Sequence, residues 1–357
     1  KLKRLDTLRF HAKLGSYLTK ARRIERLAAW VACEAFGARP HAEHAARAAL
    51  LSKADLTTDM VGEFPELQGV MGGIYAREDG EPEEVWRAVY HHYLPIAVTA
   101  DAPPESTSLG AAAVSWAAVS LADKLDTLAG LFQVGEKPTG SRDPFGLRRQ
   151  AHGIFRILVD LPELTGLTVR PDLGGLLHEA CDGHDGQLDS AGDARLVAFL
   201  LERLRYVLER RGYDLRNVRA VTHQLSLSEV RPLDARRKLE VLPEFTGSPD
   251  FLQLATLFKR VRNMARELPD AEFEQLEANR VAVSEVDIEP AEAKLGAELK
   301  RRRTKIEMAV DTGQNYRAAF AEAARFGPAV DRFFTDVLVM ADNSRVRRRR
   351  LFLLKRL

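Results

Sequence analysis

The sequence predicts an all-α protein with more than one domain, and three observations carry that expectation. Ala, Leu and Arg, all good helix formers, are abundant, while aromatic residues make up only 7% of the chain. Apolar residues recur at three- and four-residue spacing in most segments, and alternating β-branched runs are scarce. A chain of 357 residues, 45% hydrophobic and 29% charged, is long enough for two or three cores of globular type. The net charge of +2 is too small to announce a nucleic-acid binder, although 40 of the 53 basic residues are Arg. Cys33 and Cys181 lie far apart and point to a reduced compartment, hence a cytoplasmic protein. The longest apolar run, residues 109–122, is too short for a membrane span, so no membrane partner is expected. The chain begins without Met and its last helix is still amphipathic at Leu357, so a piece of a longer protein is expected.

The elements follow in order. Residues 1 to about 36 read as one or two helices, with "ARRIERLAAWVACEAFG" ending at Gly37 as a C-cap. Residues 41–60 read as a second helix. "EFPELQGVMGGIYA" breaks the pattern with Pro65, Gly69, Gly72 and Gly73, a density that indicates tight turning or close backbone approach. A phosphate loop is the sharper reading, but no Lys-Ser/Thr follows. Residues 81–93 are helical, and a long helix spans 110–132. "GEKPTGSRDP" interrupts it before a helix resumes over 145–161. Helices such as 194–211, separated by Gly-rich loops, fill 164–249. Amphipathic helices then run to the end, split near "ELPDAE" and "DTGQ". The expected domains are 1–160, a helical linker region over 161–248, and 249–357.

Asp123 and Asp126 lie inside the apolar helix 110–132, where Leu121, Leu125, Leu128 and Phe132 form a stripe and Trp116 and Val119 sit opposite. Carboxylates in such a place need a metal, a cation or good hydrogen bonds. "SLADKLDTL" resembles the Asp-bearing helix of HD-superfamily phosphohydrolases, which hold a divalent metal through a His, a His-Asp doublet and a later Asp. At the corresponding place "AALLSKADL", residues 48–56, has Ser52-Lys53 instead of the doublet. "KARRIERLA", residues 20–28, has no His. Only Asp123 remains of the ligand set, and one carboxylate does not hold a catalytic ion. No metal is expected; the Lys53 ammonium is expected to contact Asp123 or Asp126 in its stead.

A narrower resemblance covers almost the whole chain. "LLSKADLTTDMVGEFPELQGVMGGIYA" and "ADKLDTLAGLFQVGEKPTGSRDPFGLRRQAHGIFRIL" resemble the β subunit of bacterial tetrameric glycyl-tRNA synthetase. "VDRFFTDVLVMADNSRVRRRRLFLLKRL" resembles the last helices of that family's DALR-type anticodon-binding domain, though it stops before the family's last few turns. The resemblance is weakest over 164–249. It implies the C-terminal half of a β subunit: a degenerate HD-like helical domain, a helical linker and an anticodon-binding bundle. It further implies tRNA-Gly and the α subunit of an α2β2 tetramer as partners, with the class II active site on the α subunit. No cofactor is then bound by this chain; ATP and Mg²⁺ are used by the holoenzyme through α.

Three basic blocks are the candidate RNA contacts: Lys259, Arg260, Arg262 and Arg266; Lys300, Arg301, Arg302, Arg303 and Lys305; and the tail. On a wheel Val330, Phe333, Phe334, Val337 and Leu338 form one apolar stripe. In the last helix Arg345, Arg348, Arg349, Lys355 and Arg356 gather opposite the apolar residues, as phosphate tracking requires. Arg347 and Arg350 break into the apolar side and are expected to snorkel or to pair with acids such as Asp331 or Asp336. Tyr316, Phe258 and Arg262 are candidates for contact with unstacked bases. "HEACDGHDG" spaces His178, Cys181 and His184 by three residues beside Asp182 and Asp185, a set zinc could use only at an unusual spacing. His41, His44, His91 and His92 read as surface or core histidines. The alternative function, an HD-type metal-dependent phosphohydrolase acting on a nucleotide or nucleic acid, is disfavoured by Ser52-Lys53.

Overall fold

The computed structural model describes residues 1–184, 190–223, 226–278 and 288–357. They are predominantly helical and divide into two compact units, Lys1–Arg236 and Arg237–Leu357. The principal helices are labelled here in chain order.

The first unit opens with a 3-10 turn, Leu2–Thr7, and an antiparallel pair, β1 (Arg9–His11) and β2 (Gly15–Ser16), where the sequence predicts helix. Strands this short leave no alternation to detect. Helix α1 (Tyr17–Trp30) begins at Ser16, whose hydroxyl accepts from the Thr19 amide at 3.3 Å, and buries Lys20, Ala21, Ile24, Leu27 and Ala28. The predicted helix over 41–60 is broken: α2 (Ala42–Leu51) ends at Ser52, and a 3-10 turn, Ala54–Thr57, follows.

The Gly-rich stretch shows the expected tight turn and close approach, but it does not break the helical pattern throughout, because α3 (Val70–Glu78) runs through it. Gly69, at φ +80°, makes the turn into the helix. Asp55 Oδ2 accepts from the amides of Gly69 at 2.7 Å and Gly72 at 3.1 Å. The amides that a phosphate loop would offer are thus taken by the chain's own carboxylate. A Cβ on Gly73 would stand 2.4 Å from Tyr90 Cβ, so this glycine lets α3 approach α4 (Glu83–His91) closely.

Helix α5 (Ala113–Gln133) is the axis of the unit; every residue from 113 to 132 is buried. Packed against it are α1, α2, α4, α6 (Leu147–Val159) and α7 (Leu173–Asp182), while α8 (Ser190–Arg210) lies on α6. Just past α6, Asp160 receives the guanidinium groups of Arg156, Arg211 and Arg236, tying together distant segments of the unit.

The second unit contains α9 (Pro249–Ala265), α10 (Asp270–Ala278), α11 (Pro290–Thr312), α12 (Tyr316–Ala324), α13 (Gly327–Asp336) and α14 (Ser344–Arg356). Leu254, Val261, Leu295, Leu299, Val330, Phe333, Leu351 and Leu354 build its core. The breaks at "ELPDAE" and "DTGQ" fall between helices as expected. Leu338 departs from its predicted stripe: α13 ends at Asp336, the backbone extends at Val337, and Leu338 is 72% exposed. Among the described residues no helix is long and apolar enough to cross a membrane.

Candidate functional site

The first unit encloses a cluster of charged side chains on the buried face of α5. Lys53, 2% exposed, places Nζ 2.7 Å from Asp123 Oδ2, the ion pair the sequence predicts. The same ammonium is 2.9 Å from His92 Nε2 and lies over the Tyr93 ring, 3.9 Å from its centroid. His92 Nδ1 is 2.6 Å from the Val89 carbonyl, so Nδ1 carries the proton and Nε2 accepts from Lys53.

Lys20, from α1, supplies a second ammonium. It lies 3.1 Å from Asp123 Oδ1 and 2.9 Å from Asp126 Oδ2, and it donates to Thr127 Oγ1 at 2.7 Å. Asp126 also takes Arg23 through Nε at 2.6 Å and Nη2 at 3.3 Å. His184 Nε2 stands 3.2 Å from Asp126 Oδ1, outside hydrogen-bond geometry. Ser52 donates to the Ala49 carbonyl at 2.8 Å and takes no part in the ion pairs. Each carboxylate oxygen of Asp123 and Asp126 is therefore met by an ammonium or guanidinium. Donors of that sign do not fit a divalent cation, which needs the same oxygens free and anionic.

Burial alone raises the Asp123 pKa, but Lys53 and Lys20, followed by His92 and Lys124, hold it well below the usual carboxylate range. Against the same cost of burial, Lys20, His184 and Arg23 lower Asp126. Burial, then Lys53, pushes His92 far below an ordinary imidazole.

In the second unit the basic residues are largely neutralised from within. Arg349 and Arg350, 7% and 6% exposed, both grip Glu292, at 2.5 and 3.1 Å. Arg302, also buried, pairs with Glu322 at 2.6 Å. Arg348 pairs with Glu272, Lys355 with Asp270 at 2.7 Å, and Arg356 with Glu277 at 3.6 Å, so acids of α10 lie along the basic side of α14. Arg301 pairs with Glu298 at 2.8 Å, and Arg260 stands 4.2 Å over Phe334.

A family model described as glycyl-tRNA synthetase beta subunit matches residues 1–223. The chain belongs to this family. It is 40% identical to the glycine–tRNA ligase beta subunit of Aromatoleum aromaticum, across 100% of this chain and 48% of that protein. The corresponding figures are 37%, 99% and 48% for Pseudomonas aeruginosa, and 39%, 100% and 48% for Edwardsiella ictaluri. The chain spans about half the length of the curated relatives it matches. Nothing among these matches supports the phosphohydrolase alternative.

Within this β-subunit chain several expectations need correction. Arg349 does not share an exposed face with Arg345, Arg348 and Arg356, and Arg302 is no surface cation; each is drawn inward by a glutamate on another part of the unit, which a helical wheel cannot reveal. Lys355 is half-buried and donates to the Leu268 carbonyl. Arg350 pairs with an acid as expected, but the acid is Glu292 and not Asp331 or Asp336; Asp336 pairs with Arg332. Tyr316 is 5% exposed and Phe258 packs on the core, so neither ring is free to stack on a base, whereas Arg262 is exposed. His178 faces solvent beside Asp182 and Cys181 is half-buried, while His184 turns to Asp126. Asp185 lies outside the described residues, and among those described no three such side chains converge as a metal site.

Sequence reasoning missed Lys20 and Arg23; His92 is the core histidine it allowed, and His184 was weighed only as a zinc ligand. The signal for Lys20 was available: a cation on the stripe otherwise formed by Ala21, Ile24, Leu27 and Ala28.

These charges give stability a defined pH dependence. An unfolded His92 takes up a proton near pH 6.5 and the folded one does not, so its contribution is whole above that pH and lost below it. His152, pushed down to about 4 by burial and then Arg203 and Arg148, acts in the same direction. The contribution of Asp123 and Asp126 is whole above about pH 4 and lost as the unfolded carboxylates protonate below it. Urea midpoints are expected to fall from pH 8 to pH 5, then more steeply below pH 4. A midpoint constant from pH 8 to pH 5 contradicts a neutral buried His92.

Proposed function

We propose that this chain is the tRNA-handling half of a glycyl-tRNA synthetase β subunit, working in the cytoplasm. It supports ATP-dependent attachment of glycine to tRNA-Gly, catalysed by the α subunit of an α2β2 tetramer. By itself the chain is non-catalytic, and ATP and Mg²⁺ are used through α. The observation that carries this reading, together with family membership, is the pair of lysine ammonium groups on Asp123 and Asp126. A degenerate HD-like centre filled with cations has neither the ligands nor the open position that metal-assisted hydrolysis needs.

RNA contact falls to the cations that the protein does not neutralise itself. Among the described residues, Lys259, Arg266, Lys300, Arg345 and Arg347 have no acid within ion-pair distance; all but the half-exposed Arg347 are exposed. Arg348 and Arg356 join them where their exposed pairs with Glu272 and Glu277 open. The test is the triple change Lys259→Ala, Arg266→Ala and Arg345→Ala, with binding of tRNA-Gly measured across salt concentration. Each phosphate contact removed is expected to flatten the dependence of log K on log salt by about 0.7–0.9, so the slope falls by roughly 2–3. An unchanged slope and affinity removes this surface from the proposal.

A further inference from the structure

A cavity of about 470 Å³ opens beside the buried charge cluster of the first unit. Tyr90 and Tyr93 contribute rings to its wall, with Leu94 as apolar lining, and Lys124 and Arg149 contribute cations. Glu66 is the acid on the wall. The volume lies within the roughly 300–1,000 Å³ of small-ligand sites and accommodates one nucleotide rather than a duplex.

Two features of the surroundings specify the charge of an occupant. Lys124, 3% exposed, donates to Ser120 Oγ at 2.7 Å and to the carbonyls of His92 at 3.1 Å and Leu94 at 3.3 Å. A Cβ on Gly153 would stand 2.5 Å from its Cε, so that glycine leaves the space the lysine stem fills. The buried cluster holds three cations, Lys20, Lys53 and Lys124, and three carboxylates, Asp55, Asp123 and Asp126, and the half-buried Arg23 adds a further cation beside Asp126. Among the described residues Lys124 has no acid within ion-pair distance, only the hydroxyl and the two carbonyls, and it stands at the cavity wall. Burial first, then Lys53 and Lys20, pushes Lys124 down to about 7 against the pull of Asp123, as expected of a cation short of anions. Arg149 is exposed and, among the described residues, has no acid within ion-pair distance.

We propose that this cavity binds a single phosphorylated nucleoside, either free or as an unpaired residue of an RNA strand. The base lies against the tyrosine wall, the phosphate takes Arg149, and Lys124 supplies positive potential from behind. Stacking on tyrosine tolerates any base, because every base offers a π-face. Glu66 can accept from an exocyclic amine. This site is separate from the cations of the second unit, and it does not require the tRNA role proposed above.

The experiment titrates the 357-residue chain with AMP, CMP, adenosine, inorganic phosphate and a single-stranded RNA tetranucleotide, by calorimetry or equilibrium dialysis. The mononucleotides are expected to bind at least about tenfold more tightly than phosphate or adenosine, since the site uses both ring and charge. Arg149→Ala, at an exposed position of the wall, is the test variant, and Tyr90→Ala removes one of the rings. Each variant is expected to lose about tenfold in nucleotide affinity, the first through the phosphate and the second through the base. A tetranucleotide that binds more tightly than AMP and is equally sensitive to Arg149→Ala identifies RNA as the source; one that binds no better identifies free nucleotide. Mononucleotides that bind no better than phosphate, or binding indifferent to Arg149→Ala, overturn the proposal. Binding of tRNA-Gly, measured separately, decides the tRNA role whichever way this result falls.

Discussion

Replacing Asp123 by Ala is expected to cost about 3–5 kcal/mol of folding free energy, the range for removing one partner of a buried ion pair. The loss arises because Lys53 keeps only the neutral His92 and the Tyr93 ring, and Lys20 keeps Asp126, while the buried cluster loses one of its three carboxylates. Lys53→Met removes one ammonium and leaves Asp123 with Lys20, so its cost should be smaller. Because Lys53 and Asp123 touch, the double variant should be more stable than the sum of the single losses, by at least about 1 kcal/mol. Urea unfolding of the four proteins measures this coupling. A cost under about 1 kcal/mol for Asp123→Ala would mean a solvated carboxylate, in conflict with its 5% exposure.

The second large effect belongs to Glu292. Its carboxylate, 4% exposed, is shared by two buried guanidiniums, and Glu292→Ala takes this shared partner from both. A loss of about 3–5 kcal/mol is expected, with the docking of α14 weakened first. Arg350 would retain the Leu338 carbonyl at 2.8 Å and Glu289 at 3.9 Å, while Arg349 loses the Glu292 carboxylate. Glu272→Ala is the control: it removes the partner of the exposed Arg348 and should change stability by less than about 1 kcal/mol. Stability measured by chemical denaturation separates the two. Equal effects would show that the buried pair contributes no more than a surface one.

The comparison of these two sites also shows what a sequence discloses. The Lys53–Asp123 pair was legible because a carboxylate in an apolar helix demands a positive partner, and Lys53 stands where a metal ligand was expected. Lys20 was harder to find, since only the fold brings residues 103 and 106 positions apart to one point, although its place on an apolar stripe was a clue. Arg349 misled for the opposite reason: its helix position reads as exposed until a glutamate 57 residues away is seen beneath it. The helical class and the tight turn at Gly69 were clear from composition and spacing, whereas the β1–β2 pair is too short for periodicity to register.

The central claim is that ammonium groups occupy the place of a divalent cation in the first unit. Its most direct test is metal binding by untagged protein, dialysed against Mn²⁺ or Zn²⁺ and assayed for metal per chain. The account predicts no bound ion whose retention depends on Asp123. One equivalent of metal per chain, lost in Asp123→Asn and bound with release of a proton from Lys53, would contradict it.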